Sequence, residues 1–435
     1  MPNEDYYQSN YVFLNEILAA DLRQIQKNIS RAKELNQDGI DENLRKKYIY
    51  FSNINKDART EVSSFIANGL QNFVEQHRTV DFAGRMDDEG LIMMFRSNYS
   101  YGIYSRYYEP DYDFSTETKI RGLNLPILET ENVIRSTIQM RKDNPEEYYS
   151  RMGDIIAEHK LLAQNAVLVE AHNILRRRSD IFKTLVDLYK SEQWSSFVAL
   201  AVLQIEGLFY DCCEILKEKD LGGTAGTLTE KVEKSFKDNA ALMRYAYPYF
   251  YFDAPLLRNK IAHVGTLEYI PEEMKRICID LILDINSVVS WIYELSRSKY
   301  TTIEMLYGDV KDDEKPAEKL LCSMLSCMSV TDFKYLDVLV ETSAFEDEFK
   351  YMNFDQNFII EHVSLLRKII DTDDFWNQIA GHIDENKKCE DKPYCVEWLA
   401  GKLADAFIKV YQKGSPEKEA CAAVMAKVNI CKKNN

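Results

Sequence analysis

Apolar residues recur at helical spacing along most of the chain. Such patterns run from Tyr11 to Leu35 and from Asp41 to Gln76, and a long buried helix is predicted from Gln193 to Ile215. A further long helix is predicted to open at Pro271, with an apolar stripe that continues to Leu295. Only 16 glycines and 10 prolines interrupt the 435 residues. We therefore predict an all-α protein.

Breaks in this pattern predict three regions. The stretch up to Asp113 is aromatic, contains glycine and is less regular, which allows for strands, and a boundary is expected between Ser115 and Pro126. The polar segment from Tyr307 to Pro316 is typical of a linker. The predicted regions are a mainly helical N-terminal region of unknown role at 1–120, a central helical bundle at 121–306 and a helical C-terminal region at 317–435.

One short segment, Arg258-Asn259-Lys260-Ile261-Ala262-His263, combines a cation, an amide and an imidazole. We predict that it forms a short helix, with Asp253 as its N-cap and Gly265 as its C-terminal stop. An imidazole transfers protons near neutral pH, and a guanidinium neutralises a phosphate. This pairing therefore indicates cleavage of a phosphodiester without a metal ion.

Helical geometry predicts how these side chains are distributed. At about 100° per residue, Asn259 and His263 share one face, roughly opposite the apolar stripe that contains Ile261. Arg258 and His263 lie about 140° apart. Either the Arg258 side chain bends round the helix, or a second copy of the motif supplies its partner.

The motif and its setting resemble the HEPN superfamily of all-α domains. Ribonuclease members of that family carry an Arg-polar-x(3 to 5)-His motif before the last long helix, which here matches Arg258, Asn259 and His263. The run Leu-Gln-Ile-Glu-Gly-Leu-Phe-Tyr-Asp at 203–211 is similar to an earlier long helix of the domain, so the likeness covers roughly residues 155–298.

The resemblance implies a homodimer in which two motifs meet in a cleft and cleave RNA without a cofactor. His263 would be the general acid or base, Arg258 would stabilise charge on the phosphate, and Asn259 would orient the histidine or bind a phosphate oxygen. The 2′-hydroxyl would be the nucleophile, which restricts cleavage to RNA. Bacterial relatives of this kind are typically toxins or antiviral defence effectors.

Two further sets of residues are weaker candidates for RNA contact. Arg176, Arg177 and Arg178 form a dense basic run at the end of a helix predicted from about Ile155, and the alternative is a solvated helix end favoured by the dipole. Glu206 lies among apolar neighbours, where it is either a polar contact to the motif helix or a structural hydrogen-bond partner.

Composition limits the classes of function. The net charge of −16 argues against a general nucleic-acid coat, so any RNA contact must be local. The acidity suits a nuclease whose cleft admits a specific structured RNA, or one that is held in check by a basic partner, and the partner protein would be inhibitory or activating. The 27 tyrosines include a cluster from Tyr245 to Tyr251 just before the motif, which either packs in the core or stacks on unpaired bases.

Nothing in the sequence indicates a metal site, a membrane span or secretion. The nine cysteines include no Cys-x-x-Cys pair, and the spacing of His382, Cys389 and Cys395 fits no standard zinc pattern. No secretory signal and no apolar run approaching about 20 residues is evident. We expect a cytoplasmic protein. The competing hypothesis to the nuclease is a non-catalytic helical interaction or scaffold module that holds a partner with the same helix face.

Overall fold

The protein is described by a computed structural model at residues 5–125, 128, 130–172, 174–216, 226–264, 269–298, 361–362, 375–383, 396–409 and 411–433. The described residues form eighteen α-helices and no strand. The all-α class is therefore confirmed for this part of the chain. The strands allowed for in the stretch up to Asp113 are wrong, because that stretch contains turns and short helices and no strand.

The described helices fall into three groups along the chain. The N-terminal helices are α1 (Tyr7–Leu35), α2 (Glu42–Asn68), α3 (Leu70–Gln76), α4 (Glu89–Arg96), α5 (Ser100–Tyr104) and α6 (Phe114–Gly122). The central helices are α7 (Glu131–Asp143), α8 (Pro145–Glu158), α9 (Leu161–Ala171), α10 (Ser179–Lys190), α11 (Trp194–Ile215), α12 (Leu228–Phe236), α13 (Ala240–Tyr245), α14 (Ala254–Val264) and α15 (Pro271–Ser298). The C-terminal helices are α16 (Phe375–His382), α17 (Val396–Phe407) and α18 (Pro416–Lys433).

Contacts divide the chain into two compact units. The first comprises Met1–Glu117 and Phe236–His263, and the second comprises Thr118–Ser235 and Val264–Asn435. This division differs from the predicted regions, since nearly all of the motif helix α14 groups with the N-terminal helices. The predicted linker at 307–316 lies outside the described residues.

The first unit is built on α1 and α2, which pack along each other. Leu14, Leu18 and Ile25 are fully buried at helical spacing on α1, and Val62 of α2 belongs to the same core. The single helix predicted from Asp41 to Gln76 is interrupted at Gly69, which separates α2 from α3. The hydrophobic pattern continues through this break, which explains why periodicity did not reveal it.

The second unit contains α15, which α11, α9 and α8 contact. Every residue from 281 to 289 is buried, so this helix is enclosed on all sides rather than along one stripe. Its polar residues are consequently paired: Lys119 of α6 has no exposed side-chain surface and lies 2.8 Å from the Asp284 carboxylate. Among the C-terminal helices, Trp376 is buried and donates a hydrogen bond to the Tyr411 hydroxyl at 3.0 Å.

Among the described residues, one helix is long and apolar enough to cross a bilayer by length and composition alone. It is α11, in which 61% of the most apolar window is buried inside the protein. Core helices of soluble proteins have the same length and composition, so this helix is weak evidence for a membrane span.

Candidate functional site

The motif forms part of a helix, as predicted. α14 spans Ala254–Val264 and therefore includes Arg258, Asn259 and the backbone of His263. It ends one residue before Gly265, the predicted stop. The side chain of His263 lies outside the described residues. The position of the imidazole relative to Arg258 thus stays a prediction.

The predicted N-cap at Asp253 is wrong. Residues Tyr249–Asp253 form a π-helical turn that continues directly into α14, so the chain is already helical at this position. The Asp253 carboxylate instead binds Lys47 of α2, whose ammonium donates to both carboxylate oxygens at 2.9 and 2.8 Å. π-Helical turns are rare and occur frequently at functional sites.

Aromatic packing holds the same turn against α2. The Tyr50 ring lies 5.9 Å from the Tyr247 ring and 5.4 Å from the Phe252 ring, between centroids. Burial raises the pKa of Tyr50 to about 12, which keeps its hydroxyl neutral. The ion pair and these rings together fix the entry to the motif helix. The tyrosine cluster here packs against α2, which was one of its two predicted roles.

Two of the three motif side chains are in contact. Arg258 Nη1 donates a hydrogen bond to Asn259 Oδ1 at 3.3 Å, and both side chains are half-buried. Lys260 is exposed, whereas Ile261 of the apolar stripe is buried. Asn259 is therefore less exposed than the face geometry predicted. The contact places a cation and an amide side by side, which suits recognition of a phosphate.

The arginine run does not end a long helix. α8 ends at Glu158, Lys160 has a left-handed backbone (φ 48°), and the arginines occupy a 3-10 turn, Leu175–Arg178, before α10. The interpretation as a helix end favoured by the dipole is wrong, since the run precedes the N-terminus of α10, where cations are disfavoured.

Two of these arginines bind a buried carboxylate on α11. Arg178 donates to Asp211 through Nε at 2.6 Å and through Nη2 at 2.9 Å, and Arg177 also pairs with Asp211 and Glu214. The Asp211 side chain has no exposed surface. Arg176 is exposed. The run thus consists of a largely buried Arg178, an Arg177 that is 43% exposed but paired with two carboxylates, and an exposed Arg176.

Glu206 has a structural partner on α12. Its carboxylate accepts a hydrogen bond from Lys231 at 2.9 Å, and the Lys231 side chain is only 5% exposed. This pairing corresponds to the structural role predicted as the alternative to a contact with the motif helix.

Sequence reasoning missed Lys47 and Asp211. Lys47 belongs to the basic run Arg45-Lys46-Lys47, which is typical of a solvated helix surface. Its position four residues before the buried Phe51 was the available signal, because it places the lysine on the apolar face of α2. Asp211 similarly lies among buried residues of α11.

In the part of the chain that the structure describes, no group of three His, Cys, Asp or Glu side chains could hold a metal ion. The side chains of His382, Cys389 and Cys395 lie outside that part. Comparisons of the chain with protein-family models, curated proteins and solved structures found no match.

Proposed function

We propose that the protein is a metal-independent endoribonuclease of the HEPN type. The observation that carries this proposal is the placement of Arg258, Asn259 and His263 on one helix, α14, with the first two side chains in contact. The π-helical turn before α14 and its ion pair with Lys47 give further support, since a fixed and unusual entry suits a positioned site.

The proposed reaction needs no group beyond these side chains and the RNA itself. His263 removes the proton of the 2′-hydroxyl, and the resulting oxygen attacks the adjacent phosphorus. The bond from phosphorus to the 5′-oxygen breaks, and that oxygen takes up the proton that the His263 imidazolium now carries. The products are a 2′,3′-cyclic phosphate and a 5′-hydroxyl. Arg258 stabilises the negative charge that develops on the phosphate, and Asn259 orients the imidazole or binds a phosphate oxygen.

The spacing of the motif along α14 points to a second copy of the chain. Helical geometry separates positions 258 and 263 by about 140°, so the arginine of one motif and the histidine of another can serve one site. A homodimer would bring two motifs to one cleft. A role as a toxin or an antiviral defence effector is implied only by the resemblance to this family.

The alternative is a non-catalytic helical module that binds a protein partner through α14. The half-burial of Arg258 and Asn259, and their mutual hydrogen bond, are equally expected of a structural pair. The two candidates differ in what the loss of His263 changes: it abolishes cleavage in the first and leaves no catalytic defect in the second.

The deciding experiment is cleavage of single-stranded RNA by metal-free protein in EDTA, with DNA of the same sequence as the control. We expect cleavage of RNA alone, with cyclic phosphate ends, and a loss of at least about 100-fold in the Arg258→Ala and His263→Ala variants. Lys260→Ala is the matched control, because Lys260 is an exposed cation on the same helix. Thermal unfolding of each variant verifies that it folds.

Absence of cleavage on whole-cell RNA, tRNA and synthetic RNA would favour the interaction module. Cleavage that survives in both Arg258→Ala and His263→Ala would place any activity elsewhere. Equal loss in Lys260→Ala would mean that general positive charge, rather than the motif, is needed.

A further inference from the structure

Three methionines expose large apolar surface in the first unit. Met86 is 68% exposed, Met93 is 49% exposed and Met94 is 37% exposed. Met93 and Met94 lie on α4, and Met86 lies two residues before Asp88, the N-cap of that helix. These three residues are named the methionine surface below.

α4 is apolar on both its inner and outer faces. It contains the uninterrupted run Leu91-Ile92-Met93-Met94-Phe95, in which Phe95 is fully buried and Leu91 packs against the core of the first unit. Packing of the inner face against the core therefore explains only part of this apolar run, because Met93 and Met94 remain exposed. An exposed apolar run of this kind costs solubility, and it is typical of a surface that another chain covers.

The outer face of α4 has a notch that could receive a side chain. Gly90 lies one turn before Met93 and Met94 on the helix. At about 100° per residue, its position around the helix axis falls between the positions of the two methionines. A β-carbon at Gly90 would meet only Asp88 Oδ1, at 3.3 Å, so the space above the glycine is open. Methionine side chains are flexible and polarisable, and therefore adapt to varied apolar partners.

Negative charge lies at the N-terminal end of α4, beside this surface. Asp87 and Glu89 are both exposed, and neither pairs with a cation among the described residues. The two nearby cations are already bound, because Arg85 pairs with Asp88 at 2.5 Å and Arg96 pairs with Asp21 at 2.9 Å. A complementary partner is consequently apolar on one face and basic at its edges.

We propose that the methionine surface docks a basic amphipathic helix of a partner protein. Such a helix would place apolar side chains on Met93 and Met94 and lysines or arginines beside Asp87 and Glu89. A second copy of this chain fits less well, since it would bring the same carboxylates together in a protein of net charge −16. An anionic membrane would be repelled for the same reason. The surface does not involve α14, so this inference is independent of the proposed nuclease.

The test uses an amphipathic peptide of about 18 residues built from Leu and Lys with one Trp, and a matched peptide with Glu in place of Lys. Binding to the full chain is followed by fluorescence anisotropy and calorimetry. We expect the Lys peptide to bind and the Glu peptide not to bind. The double variant Met93→Ser/Met94→Ser should weaken binding at least about tenfold. Asp87→Asn/Glu89→Gln should weaken it and reduce its dependence on salt.

Val12→Ser is the control, because Val12 is 48% exposed on α1 and lies outside the methionine surface. Its binding should equal that of wild type. The proposal is overturned if wild type fails to bind the Lys peptide, if the serine variant binds equally well, or if the two peptides bind alike. It is also overturned if sedimentation shows a wild-type dimer that the serine variant dissociates, since a second copy would then be the occupant.

Discussion

Among the residues that the structure describes, buried charged side chains meet specific partners. Arg178 and Asp211 illustrate the point: the arginine binds both carboxylate oxygens, and it also donates to the Gly207 carbonyl at 2.9 Å. Arg176, two residues away in sequence, is exposed. Adjacent residues of one type therefore have different roles, which only their partners reveal.

Loss of Arg178 should destabilise the fold. Arg178→Ala would leave the buried Asp211 carboxylate with Arg177 as its remaining described partner, and we expect the free energy of unfolding to fall by about 3 kcal/mol. Arg176→Ala, at the exposed position, should change it by no more than about 0.5 kcal/mol. Urea denaturation of both variants measures these values. Equal losses would contradict the assignment of separate roles.

His172 should make the stability depend on pH. Burial, with a smaller contribution from Arg176, lowers the pKa of His172 to about 4, although Asp211 acts in the opposite direction. Its Nδ1 accepts hydrogen bonds from the backbone N–H groups of Ile174 at 3.1 Å and Leu175 at 3.4 Å, which requires an unprotonated nitrogen. The ring is consequently neutral in the folded protein at neutral pH.

The direction of this pH dependence follows from the protonation of His172 in the folded and unfolded states. The unfolded chain binds a proton at this histidine below a pH of about 6.5, whereas the folded chain does so only below about 4. Stability therefore falls as the pH drops through this window, by about 2 kcal/mol between pH 7.5 and pH 5. His172→Asn retains an acceptor that does not titrate, so the variant should lose this part of the pH dependence. Urea denaturation of wild type and His172→Asn at both pH values measures the difference. Identical pH dependence in the two proteins would refute this role of His172.

At the scale of the element, sequence patterns located helices better than the breaks between them. α11 begins one residue after the predicted start, and α15 begins at Pro271 as predicted. The breaks at Gly69 and Lys160 were missed. Lys160 has a left-handed backbone despite its side chain, and no local sequence signal marks that conformation. Breaks of this kind depend on how neighbouring helices pack.

The contact between α6 and α15 depends on a glycine. A β-carbon at Gly122 would lie 2.7 Å from the α-carbon of Ser287, and Asn286 Nδ2 donates to the Gly122 carbonyl at 2.6 Å. The clash is with backbone, which cannot move aside as a flexible side chain would. We expect Gly122→Ala to lower the free energy of unfolding by about 3 kcal/mol.

Gly153 of α8 is the matched control for this substitution. Its nearest neighbour would be Ile279 Cδ1 at 3.8 Å, which is an ordinary contact. Gly153→Ala should leave stability unchanged or raise it by up to about 1 kcal/mol, because alanine favours a helix. Thermal and urea unfolding of the two variants measure these changes in stability. A similar effect at both positions would contradict the requirement for glycine where α6 approaches the backbone of Ser287.

At the scale of the whole molecule, the proposed site raises the question of a second copy. Helical geometry separates positions 258 and 263 of one helix by about 140°. If each site takes its arginine from one protomer and its histidine from the other, a dimer of Arg258→Ala with His263→Ala contains one intact site.

Mixing the two inactive variants should therefore restore activity. Random exchange makes about half of the dimers mixed, with one working site in two, so we expect about one quarter of wild-type activity. RNA cleavage after mixing and re-equilibration measures this value, with each variant mixed with itself as the control. Activity that stays absent, although sedimentation shows mixed dimers, would mean that both residues of a site belong to one chain.

The sequence by itself determined the helical class, the positions of the long helices and the candidate motif, because helical periodicity and residue chemistry are local properties. The tertiary structure decided which polar residues are structural. It paired Arg177 and Arg178 with Asp211 and Lys47 with Asp253, and it grouped nearly all of α14 with the N-terminal helices. These pairings join residues far apart in the chain, so no local pattern encodes them. Burial and long-range contact alone distinguish a structural charge from one that is able to meet a ligand.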